Sequence, residues 1–108
     1  MPARIPLDRD RLAAFCQRWR IREFALFGSV LRADFRADSN VDVLVSFAPA
    51  PAPGPAWGLR DYVQMEDELA AILGRRVDLV ERRLVETSPN YIKRQAILAS
   101  LEHLDVAG

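Results

Sequence analysis

Two periods of hydrophobic and polar positions run along this chain, and the switches between them mark its elements. Leu12, Phe15, Cys16 and Trp19 recur at i, i+3, i+4 and i+7, which predicts an amphipathic helix. Asp8 stands where its N-cap belongs, and Leu7 can pack on Leu12 as a hydrophobic staple. Arg20 to Phe27 reads as a buried strand that feeds a Gly28-Ser29 turn, with VLRAD behind it as a short helix capped by Ser29. A second apolar run, VDVLVSF, reads as the next strand. Strand side chains alternate, so Val41, Val43 and Val45 should face one way while Asn40 and Asp42 face the other.

Residues 48–58, APAPAPGPAWG, hold four of the seven prolines. Proline at alternate positions sustains neither a helix nor an interior strand, so an exposed stiff loop beside the site is expected, as a rim or a partner contact. From Leu59 the helical period returns through Tyr62, Val63, Leu69, Ile72 and Leu73, with Gly74 as the C-terminal stop. Arg76 to Glu81, RVDLVE, alternates as a third strand. Ser88-Pro89 offers an N-cap and first-turn pair for a last helix, striped by Ile97, Leu98, Leu101 and Leu104, with His103 on its solvent side.

Composition narrows the classes. A chain of 108 residues, half hydrophobic and 28% charged, suits one domain spanning 1–108. No apolar run approaches membrane-spanning length and MPARIPLDRDR lacks the apolar segment of a signal peptide, so a cytoplasmic, non-membrane protein is expected. Cys16 is the single cysteine, which excludes an intrachain disulfide and a thiolate metal cluster and leaves it a core residue. Fifteen basic and fifteen acidic side chains cancel, which argues against a protein that binds nucleic acid mainly through phosphates. Arg18, Arg20 and Arg22 read as a solvated face that could touch an acidic partner.

The chemistry is concentrated between Phe24 and Phe47. A carboxylate at the mouth of an apolar strand is costly unless something answers its charge. Gly28 allows a close turn, Ser29 can present backbone N–H groups to an anion, and Asp42 can meet a cation. Asp78 in RVDLVE repeats the placement of Asp42, opposite a preceding valine, so the two carboxylates can converge if their strands are neighbours.

Gly28-Ser29, ten intervening residues and Asn40-Val41-Asp42 resemble the signature of the polymerase-β-like nucleotidyltransferases, Gly-Ser followed by Asp-x-Asp. FGSVLRAD with SNVDVLV is similar to their minimal members, the MNT antitoxins that are paired with HEPN-domain toxins. The resemblance implies an α/β (α+β) fold, a small mixed β-sheet of about three strands covered by about four helices. It implies phosphate binding by Gly28, Ser29 and Arg32, and metal binding and catalysis by Asp42 and Asp78. Asp78 takes the place of the carboxylate that helps deprotonate the attacking hydroxyl. Asn40 departs from the pattern, standing where the first aspartate belongs. A carboxamide ligates a metal weakly and does not neutralise it.

The function implied is transfer of a nucleoside monophosphate, AMP from Mg²⁺-bound ATP, to a hydroxyl of a HEPN-type toxin, within a homo- or hetero-oligomer. The rival reading is a catalytically inactive antitoxin or regulatory subunit of the same fold that acts by binding alone. Asn40 favours the rival, whereas Gly28, Ser29, Arg32, Asp42 and Asp78 favour the enzyme. Trp19 is expected in the core and Trp57 as a loop anchor or a flank for a base, while Tyr62 and Tyr91 carry hydroxyls able to accept a nucleotide that nothing in the sequence marks as acceptors.

Overall fold

The computed structural model describes residues 7–28, 40–48 and 57–106. Their order is α1 (Arg9–Arg18), β1 (Ile21–Phe27), β2 (Val41–Phe47), α2 (Leu59–Leu73), β3 (Val77–Glu81), α3 (Arg82–Glu86), α4 (Tyr91–Ala99) and β4 (Glu102–His103). The helix expected after Ser29 and most of the proline-rich segment lie outside the described residues.

α1 begins as its sequence dictates. Asp8 Oδ1 accepts from the Arg11 N–H at 3.1 Å, a cap worth about 1 kcal/mol. Leu12, Phe15 and Cys16 are its buried face. Arg20 ends the approach to β1 with φ +59°, a left-handed conformation that costs a non-glycine residue roughly 1–2 kcal/mol. α2 is closed at its start by Asp61 Oδ2, which accepts from the Gly58 N–H at 2.8 Å. It ends at Gly74, left-handed at φ +72°, whose N–H donates to Ala70 O at 2.8 Å.

The strands form one mixed sheet in the order β3-β2-β1-β4. β1 is antiparallel to β2 and to β4, and β2 is parallel to β3. A bulge between Ile21 and Glu23 keeps both Ile21 and Phe24 on the same buried side. That side carries Ile21, Phe24, Leu26, Val41, Val43, Val45 and Val77 and packs on α1 and α2 through Leu12, Phe15, Met65 and Leu69. Each such aliphatic side chain removed from water contributes about 1.5–3 kcal/mol. The other side has a smaller apolar cluster, Phe27, Leu44 and Val85, covered by Ile97, Leu98 and Leu101.

β3 is an edge strand, and Glu66 of α2 occupies part of that edge by accepting from the Leu79 N–H at 2.9 Å. No helix among the described residues is long and apolar enough to cross a membrane.

The C-terminal third departs from the expected pattern. α3 follows β3 directly and had no periodic signal. α4 starts after Asn90, whose side chain accepts from the Lys93 N–H at 3.0 Å, so Asn90 and not Ser88 is the N-cap. Leu101 and Leu104 lie beyond the helix; the Leu104 N–H donates to Phe24 O at 3.0 Å, which docks the chain on the edge of β1. His103 is therefore a strand residue, opposite Ala25.

Candidate active site

The parallel register of β2 and β3 pairs Val41 with Val77 and Asp42 with Asp78. Paired residues on neighbouring strands point to the same side, and the strands run about 4.8 Å apart, so both carboxylates rise from one sheet face at one end. Val41, Val43 and Val77 turn into the core from the opposite face, which is what lets two acids stand together without being buried. Asp42 is half-buried; Asp78 and Asn40 are exposed.

β1 brings the third part. Phe27 pairs with Asp42 across the antiparallel ladder, and Gly28 follows with φ +77°. A Cβ at position 28 would collide with Asp42 Oδ2. Only glycine satisfies both the left-handed backbone and the closeness of the carboxylate. The Asn40 amide completes the rim: Nδ2 donates to Asp78 Oδ2 at 3.1 Å.

Gly28, Asn40, Asp42 and Asp78 are thus brought together, from three strand ends. Ser29 and Arg32 lie outside the described residues. Among the described residues no group of three or more His, Cys, Asp or Glu side chains is placed to hold a metal. The two carboxylates are nonetheless hard-oxygen donors of the kind Mg²⁺ takes, with its remaining ligands drawn from water and phosphate. The donor set fits one such ion.

Several other candidates stand elsewhere. Trp57 packs edge-on against Trp19, ring centroids 5.0 Å apart, and joins the core on the far face of the sheet, so it anchors its loop and does not flank the carboxylates. Tyr62 also packs on that core; its hydroxyl donates to Glu81 Oε2 at 3.1 Å, and burial together with the Glu81 carboxylate pushes the phenol above its ordinary pKa. Tyr91 is exposed with the Arg94 guanidinium 5.1 Å over its ring. A groove of about 460 Å³ around the β3 edge, lined by Leu59, Tyr62, Leu79, Leu84 and Ile97, contains none of the four residues above. Apolar volume and candidate chemistry are separate here.

One charged cluster had no sequence signal. Glu23 accepts from Arg82 Nε at 2.7 Å and Nη2 at 2.6 Å and from Ser46 Oγ at 2.7 Å, with His103 Nε2 at 2.7 Å. The Arg82 bonds hold its carboxyl at about 2, below the ordinary 4.5. Glu23 pairs with Ser46 at the opposite end of β2 from Asp42. Its partners are far apart in sequence, so no local period could join them.

Residues 10–100 match the family described as Nucleotidyltransferase domain. Protein adenylyltransferase MntA of Thermococcus cleftensis is 41% identical over 64 residues, which are 59% of this chain and 59% of that protein. The match therefore spans less than two thirds of that relative's length. A solved structure described as a candidate minimal nucleotidyltransferase superposes with a TM-score of 0.63 at 31% identity, over 89% of this chain and 88% of that one. A crystal structure of a toxin-antitoxin with AMP-PNP gives a TM-score of 0.65 at 19% identity, over 90% of this chain and 72% of that one, a likeness of fold. With its family match covering most of its length and its carboxylates paired across β2 and β3, the chain belongs to the nucleotidyltransferase domain family.

Proposed function

We propose that this chain is a cytoplasmic antitoxin that transfers AMP from Mg²⁺-bound ATP to a hydroxyl of a HEPN-type toxin, with which it forms a complex. The observation that carries the reading is the register of Asp42 and Asp78 on one sheet face, with Gly28 closed against Asp42. Supporting it are a relative named as a protein adenylyltransferase and a fold neighbour that is a toxin-antitoxin with AMP-PNP. The family generally uses a nucleoside triphosphate with a divalent metal.

In the transfer the acceptor oxygen attacks the α-phosphorus in line, an O–P bond forms, and the bond to pyrophosphate breaks. Asp42 and Asp78 would hold a divalent ion, which when bound would supply Lewis-acid stabilisation of the charge that develops on the phosphoryl group. Gly28 leaves room for the chain to turn beside Asp42, and the segment from Ser29, with Arg32, is assigned to the phosphates. To Asp78, the more exposed of the two acids, we assign the proton of the incoming hydroxyl.

Asn40 supports a second reading, inhibition by binding alone, because the neutral amide removes one negative charge from the rim. The two separate in one experiment, radiolabel transfer from α-labelled ATP to the co-purified toxin alongside toxin neutralisation. Wild type should label the toxin, Asp42→Asn should abolish labelling, and Asn40→Asp should raise it at least tenfold, the scale by which even outer partners of a metal change activity. Neutralisation by every variant with no labelling by any would leave binding as the function.

A further inference from the structure

Asn40 has a second property besides its missing charge: it spends its donor on Asp78. The Nδ2–Oδ2 bond is 3.1 Å, and its direction is fixed by chemistry, because an ionised carboxylate only accepts and so must face the NH₂ end of the amide. An aspartate at 40 could not make this bond. It would instead set a third carboxylate against Asp42 and Asp78, a like-charge arrangement that holds together only around cations.

We propose that Asn40 is a positioning residue and not a metal ligand: its amide holds Asp78 beside Asp42 without a cation, and the site takes one divalent ion with a triphosphate where an aspartate at 40 would admit two. This rests on the nucleotidyltransferase reading of the site. Beyond the charge that the triphosphate itself brings, two ions close together draw on protein carboxylates that both can use, and the described rim offers two, one of them already engaged by the Asn40 amide; no group of three or more acidic or other metal-ligating side chains stands among the described residues. An ion on the Asn40 carbonyl would gain no charge from it, whereas Asp42 and Asp78 together supply the two negative charges that one ion takes.

The test counts ions on the full chain. Mn²⁺ is titrated in the presence of a non-hydrolysable ATP analogue and followed by electron paramagnetic resonance, and thermal melting is recorded in EDTA and in Mg²⁺. Wild type should bind one Mn²⁺ and Asn40→Asp two. Asn40→Ala, which loses the donor without gaining charge, should bind one ion at least tenfold more weakly. In EDTA Asn40→Asp should melt below wild type, and Mg²⁺ should raise its midpoint more than that of wild type. Two ions or none in wild type, a single ion in Asn40→Asp, or unchanged affinity in Asn40→Ala would each overturn the proposal. None of these readings needs phosphoryl transfer. One ion against two with no labelling of the toxin would uphold this inference and sink the enzymatic one; labelling by a wild type with two ions would do the reverse.

Discussion

A side chain at position 28 has nowhere to go, because the backbone is left-handed at φ +77° and Asp42 Oδ2 occupies the space a Cβ would take. Gly28→Ala must therefore bear backbone strain and displace a carboxylate of the rim. The expected outcome is a loss of roughly 1–3 kcal/mol in urea unfolding, the scale of a residue forced into a disfavoured conformation. Binding of an ATP analogue should weaken at least tenfold in the same variant. An alanine variant with wild-type stability and affinity would show that Gly28 and Asp42 are not in contact. The sequence spacing marked Gly28 as a turn for phosphate but could not show that it also makes room for a carboxylate on the next strand, since that contact exists only once β1 and β2 pair. Asp42 and Asp78 were legible because each follows a valine whose burial decides where the acid points. Cys16 was legible too: helical spacing put it in the core, and burial pushes its thiol up to about 12.

Element ends came out as the sequence reads at α1 and α2 and not at α4. α1 is capped by Asp8, with Asp10 inside its first turn, and α2 stops at Gly74. Before α4 two capping residues stand two positions apart. Ser88 followed by Pro89 fits the rule for an N-cap and first turn, yet Asn90 fits the cap alone and wins, leaving Pro89 in the connection from α3. Ser88 is left to accept from the Asn90 N–H at 3.3 Å, outside the helix. Asn90→Ala should thus cost about 1 kcal/mol, while Ser88→Ala should stay within about 0.5 kcal/mol of wild type. Urea midpoints of the two variants decide it, and the reverse order would restore the serine as the cap. The leucines beyond α4 misled for a related reason. Leu101 and Leu104 continue a helical spacing, but each serves a different core, Leu101 the smaller cluster and Leu104 the larger one across the sheet. A period cannot register that the chain has crossed an edge.

Across the whole molecule the sheet face that bears Asp42 and Asp78 is divided into three. Acids stand at one end, the cluster of Phe27, Leu44 and Val85 fills the middle, and Glu23 gathers its partners at the other end. That single carboxylate joins β1 to β2 through Ser46, to α3 through Arg82 and to β4 through His103. It ties down the elements added around the smaller core without adding charge to the candidate site. Its folded pKa, held at about 2 chiefly by the Arg82 bonds, lies below the ordinary 4.5. The folded state therefore prefers the ionised form, and the stability this supplies is present in full above about 4.5 and is lost as pH falls toward about 2. Glu23→Gln should lower stability at pH 7 by about 1.5–3 kcal/mol, the range for hydrogen bonds to a charged group. It should also flatten the decline between those two pH values. Urea unfolding of both proteins from neutral pH downward measures the difference, with nucleotide binding at pH 7 unchanged because Glu23 lies at the far end of β2. A wild-type profile as flat as that of Glu23→Gln through the same window would mean that Arg82 does not hold this carboxylate in the folded chain, and that the elements on this face are secured by their apolar contacts alone.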